Sequence, residues 1–106
     1  MSEYSRDDLV RCRERIDSLD LELLTLLNRR TTIVEEIGRI KQTLQLAVYE
    51  PKREDQVFAN VLGHNRGPLP PDAVKRIFER IIDEMRTVQQ RKIIGPQQEV
   101  SGKDEC

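Results

Sequence analysis

Tryptophan is missing and aromatic residues make up only 4% of the chain, so the residues that favour strands and fill sheet cores are scarce. No segment alternates apolar and polar residues in the β-branched manner of a strand, which leaves an all-α fold. Cysteine is limited to Cys12, on a helical apolar stripe, and Cys106, at the end of a polar tail; no metal-ligand spacing exists, and both are expected to be free thiols. No apolar run approaches the roughly 20 residues of a membrane span. The opening MSEYSRDD lacks the apolar centre of a signal peptide, so a cytoplasmic protein without a membrane partner is expected. An excess of one charge is also lacking: the formal net charge is -1 over 106 residues, which excludes a general nucleic-acid footprint and makes any basic site local.

What the sequence has in abundance is helical periodicity. Leu9, Cys12, Ile16, Leu19, Leu23, Leu26, Arg30, Ile33, Ile37, Ile40 and Leu44 follow an unbroken alternation of three and four, which predicts one amphipathic helix from Asp7 to Leu44. Asp7 and Asp8 put negative charge at its N-terminus, and Gly38 costs about 1 kcal/mol relative to alanine. Such a helix is about 57 Å long, more than the rest of the chain can cover as a compact monomer. A second copy of the chain is the simplest partner.

A shorter helix is expected from Glu50 to Gly63, entered through Pro51, with Val57, Phe58, Val61 and Leu62 as its apolar face. GHNRGPLPP is a loop. A third helix is expected from Pro71 to Lys92, carrying Val74, Ile77, Phe78, Ile81, Ile82, Met85 and Val88. Residues 1–92 form the expected helical domain; residues 93–106, without apolar periodicity, form a polar tail expected to be mobile. Three unequal helices suggest an intertwined homodimer in which six helices share one core.

Four polar groups sit where apolar ones belong. Arg30 occupies the long seam, Lys41 shares the face of Val34, Ile37 and Leu44, Glu54 heads the apolar stripe of the second helix, and Gln89 ends that of the third. Each has a local explanation: a register-setting seam residue, a snorkelling lysine, a carboxylate on the helix dipole, a polar residue closing a stripe. Together they are two cations, a carboxylate and a carboxamide directed into an apolar interior with too few acidic seam partners, and a small polyanion would complete the set. Arg30 and Lys41 are three turns apart, about 16 Å along the axis with about 20° of rotation, so both can reach one ligand.

RERIDSLDLELLTLLNRR, EEIGRIK, YEPKRE and RIFERIIDEMRTVQQ, in that order and spacing, resemble the all-helical class of chorismate mutases from about Leu9 to Gln90. The resemblance implies that Arg13, Arg30 and Lys41 on the long helix, Arg53 and Glu54 on the second and Gln89 on the third line the site. It implies the Claisen rearrangement of chorismate to prephenate on the route to phenylalanine and tyrosine, a unimolecular pericyclic step that asks for no nucleophile, metal or cofactor. Arg13 and Arg30 would hold the two carboxylates, Lys41 and Gln89 would face the ether oxygen, and Glu54, with Arg53 beside it, would orient the ring hydroxyl. Two positions depart from the pattern. Met85 falls where some members carry a serine that holds a substrate carboxylate, and Glu50 replaces an aspartate at a position where the backbone can serve.

If Arg13 and Arg30 grip one molecule, they belong to different chains, because seventeen helical residues separate them by about 25 Å and rotate them about 100° apart. The homodimer is then obligate and its sites are shared. Arg13 alone has a plain alternative as a solvated arginine paired with Asp17. Two other functions are compatible with the scaffold. An isochorismate pyruvate lyase would use a similar cationic pocket, and Glu50 to Glu54 favour the mutase over it. A non-catalytic regulatory dimer would be expected to lose its polar site residues, whereas all of those named are present. Docking of the tail on another pathway enzyme is less favoured than plain disorder.

Overall fold

A computed structural model describes the backbone of residues 3–102 and the side chains of residues 3–91; Cys106 lies outside the described residues. It contains three helices, α1 (Arg6–Leu44), α2 (Pro51–His64) and α3 (Pro71–Gly102), with no strand among the described residues. The all-helical expectation holds. The third helix runs to Gly102, past its expected end at Lys92: the absence of apolar periodicity speaks to packing and not to helicity. The chain divides into two units, residues 1–32 and residues 33–106.

The first unit is helical from Arg6. Ser5 caps it reciprocally: the Asp8 backbone N–H lies 3.4 Å from Ser5 Oγ, and the Ser5 backbone N–H donates to Asp8 Oδ2 at 2.8 Å. That Ser5 backbone bond, then Arg11 and the Ser5 hydroxyl, hold the Asp8 carboxyl below its ordinary range. Thr25 and Thr31 return their hydroxyls to the carbonyls of Leu21 and Leu27, at 3.0 and 2.8 Å, which satisfies them without breaking the helix. Leu9, Ile16, Leu19, Leu23 and Leu26 remain at least half exposed in the single chain, and Cys12 is an exposed free thiol.

In the second unit α2 packs on α3, and the buried apolar residues are Val34, Val74, Ile82 and Met85. The buried face of α1 here is Val34, Gly38 and Lys41. Ile33, Ile37, Ile40 and Leu44, the residues of the predicted seam, stay exposed. This part of α1 therefore has two adjacent working faces: one meets its own chain, and the apolar seam is turned away from it.

α1 ends in a Schellman turn. Leu46 N–H donates to Lys41 O at 2.7 Å, Gln45 N–H lies 3.2 Å from Gln42 O, and Gln45 takes a left-handed φ of 59°. Glycine would adopt that conformation without the side-chain penalty, so Gln45→Gly is expected to stabilise the fold by about 0.5–1 kcal/mol, read as a higher midpoint in urea at unchanged slope.

Candidate active site

The Schellman turn reverses the chain and returns residues 48–50 to the last turn of α1. Lys41 is only 7% exposed, and its Nζ donates to Val48 O at 2.9 Å and pairs with Glu50 Oε1 at 2.7 Å. A helix C-terminus favours this cation. Glu50 is free to reach it because, as the N-terminal flank of α2, it makes no side-chain cap bond, and Pro51 follows without an N–H of its own. An ammonium has three N–H donors, and these contacts engage two.

Gln89 is 8% exposed on the buried stripe of α3. Its side chain lies on Gly38, where an alanine Cβ would meet Gln89 Cγ at 3.5 Å, an ordinary contact. Gly38 and Lys41 are one turn apart on the same buried face of α1, so Gln89 packs one helical turn from Lys41. Gln89 Oε1 is buried and has no hydrogen-bond partner among the described residues. Amide oxygen and nitrogen exchange by a simple flip, so this end of the side chain can offer a ligand either a donor or an acceptor.

Glu54, in the first turn of α2, is half-buried and accepts a hydrogen bond from Arg86 Nη2. That bond, opposed by desolvation, raises Arg86 further above the ordinary guanidinium value. Arg53 does not take part: it is exposed, with Nη1 3.4 Å from Gln56 Oε1 along its own helix. Consecutive residues on a helix point about 100° apart, so Glu54 turns to α3 while Arg53 stays on the exposed side of α2. Lys41 finds its acidic partner outside the seam, in Glu50. Met85 is buried in the core and brings no N–H or O–H donor. Arg13, exposed, and Arg30, half-buried, belong to the first unit.

Arg86 went unnoticed in the sequence although the signal was present. Ile82, Arg86 and Gln89 continue the four-three spacing of the buried stripe, so Arg86 is as displaced there as Glu54 is on α2. Among the described residues no group of three or more His, Cys, Asp or Glu side chains is placed to hold a metal, and no helix is long and apolar enough to cross a membrane.

A family model described as chorismate mutase type II matches residues 12–90, which spans every one of these groups. The chain belongs to the chorismate mutase type II family. It is 38% identical over 100 residues to a bifunctional chorismate mutase/prephenate dehydratase of Neisseria gonorrhoeae, covering 92% of this chain and 27% of that protein. A protein of the same description from Aquifex aeolicus is 32% identical over 89 residues, covering 80% and 25%. The chain thus spans about a quarter of the length of these curated relatives. A solved chorismate mutase (form II) of Thermus thermophilus superposes with a TM-score of 0.78 at 32% identity, covering 79% of this chain and 96% of that one. As a chorismate mutase type II member, the chain carries Lys41, Glu54 and Gln89 in a single unit, two of them buried and the third half-buried.

Proposed function

We propose that the chain catalyses the rearrangement of chorismate to prephenate, as a homodimer with shared sites. The observation that carries this reading is the buried Gln89 carboxamide, with one end unpartnered, beside a buried Lys41 that has an N–H to spare. Two buried donor groups suit a reaction in which negative charge grows on an ether oxygen and no covalent bond to the protein forms. Val48 O and Glu50 fix the ammonium in place before substrate arrives, so little reorganisation is needed at the moment of reaction.

The cluster of Lys41, Glu50, Glu54 and Arg86 is balanced in charge, so the dianion's two carboxylates require further cations. Arg13 and Arg30 supply them in this reading, with Arg53 at the entrance, Met85 as an apolar wall and Glu54 receiving the ring hydroxyl. A second copy of the chain brings Arg13, and its α1 covers the exposed seam of Leu9 to Leu44. Residues 1–92 are the catalytic domain, a boundary supported by the family match ending at residue 90. The free thiol at Cys12 suits the cytoplasm, the compartment we assign.

The test is direct. Purified protein incubated with chorismate is expected to consume it with matching formation of prephenate. A folded dimer that leaves chorismate untouched, or that acts only on isochorismate with release of pyruvate, would overturn the proposal.

A further inference from the structure

Arg86 has no part in the roles assigned above, yet it joins three segments of the second unit. Its Nη2 donates to Glu54 on α2, its Nη1 lies 3.4 Å from Asp83 Oδ1 one turn back on α3, and its guanidinium carbon stands 5.0 Å from the centroid of the Tyr49 ring. Tyr49 immediately precedes Glu50 and follows Val48, the two residues that hold Lys41. Gln89 is the next turn along α3 from Arg86.

As a mere clamp between α2 and α3 this arrangement is uneconomical. An apolar pair fills a partly buried contact between helices at least as well as an ion pair does. Arg86 also leaves its buried Nε–H without a partner among the described residues, which a well-packed apolar side chain would avoid. What an arginine supplies is a planar group whose two arms reach two carboxylates at once, Glu54 from Nη2 and Asp83 from Nη1, while its face lies on the Tyr49 ring.

We propose that Arg86 is a positioning residue that holds the Glu54 carboxylate in the orientation that receives the substrate's ring hydroxyl. The inference rests on the proposed mutase reading. Arg86 acts on the substrate only through Glu54, and the contact with Tyr49 keeps the guanidinium from following the carboxylate when it moves. Loss of the guanidinium, itself anchored by Asp83 and Tyr49, lets Glu54 sample other rotamers, and a misplacement of about 1 Å in a positioning group costs up to about 10²-fold in rate.

The experiment compares wild type, Arg86→Lys, Arg86→Ala, Glu54→Ala and the Arg86→Ala/Glu54→Ala double variant. Each is assayed with chorismate and with an analogue lacking the ring hydroxyl, and folding is checked by circular dichroism. Arg80→Ala, which removes an exposed pair with Glu84, is the control. With chorismate, Arg86→Ala is expected to lower kcat/KM by about 10- to 100-fold, Arg86→Lys by about 10-fold, and the double variant by no more than Glu54→Ala alone. With the analogue, wild type and the Arg86 variants are expected to be equal. If Arg86→Ala fails to fold, Arg86→Lys carries the same comparison. Equal losses on both substrates, or losses that add to that of Glu54→Ala, would reduce Arg86 to a structural clamp. Full activity of both Arg86 variants beside an active wild type overturns this inference alone, whereas a wild type inactive on chorismate overturns the mutase reading and this inference together.

Discussion

Gln89→Ala is expected to lower turnover about 10²- to 10³-fold, or about 3 kcal/mol in the barrier, with a smaller change in substrate binding. The carboxamide is buried on Gly38 with one end unpartnered; in the proposed reaction the substrate is the partner it would gain, through a bond that would strengthen as charge develops on the ether oxygen. The sharper comparison is Gln89→Glu. A carboxamide donates at any ordinary pH, whereas a carboxyl donates only when protonated and otherwise sets a negative charge against the developing one. Gln89→Glu is therefore expected to be as poor as Gln89→Ala at neutral pH and to recover as pH falls through the ionisation of the new carboxyl. Its buried setting moves that ionisation to higher pH and the neighbouring Lys41 ammonium to lower pH. The pH profiles of kcat for the three proteins, with helicity checked at each pH, decide the matter. Wild-type activity of Gln89→Glu at alkaline pH would return Gln89 to a structural role.

Arg13→Ala and Arg30→Ala homodimers are each expected to be nearly inactive, and refolding the two variants together is expected to restore activity. α1 is helical from Arg6 to Leu44, so its rise puts these two arginines about 25 Å apart within one chain, too far for one small dianion. In a shared site each pocket takes Arg13 from one chain and Arg30 from the other. A heterodimer of the two variants then contains one pocket with both arginines and one with neither. If assortment is random, half the dimers are heterodimers with one working site of two, so recovery approaches about a quarter of wild-type activity per chain. Mass measurement of the heterodimer together with absent recovery would show that the two arginines do not complete one site across chains.

The sequence by itself determined the helical class, the extent of α1 and α2 to within a residue at each end, and the start of α3, because these follow from spacing, breakers and caps within a few residues of one another. It also marked Lys41, Glu54 and Gln89, since a polar residue at an apolar position is visible in a periodic pattern. Which face of α1 its own chain covers was not legible. The seam Ile33, Ile37, Ile40 and Leu44 has the stronger apolar pattern, yet the chain buries Val34, Gly38 and Lys41 one position over, where small and polar residues admit Gln89 and residues 48–50. The partners of the charges were equally hidden. Lys41 meets Glu50 through a turn that Gln45 makes in a conformation uncommon for its residue type, and Glu54 meets Arg86 across thirty-two residues of sequence. Periodicity reports how a segment divides its own surface between apolar and polar; which opposite charge arrives there is settled only when chain reversal and packing bring distant segments together, and only the tertiary structure decided that.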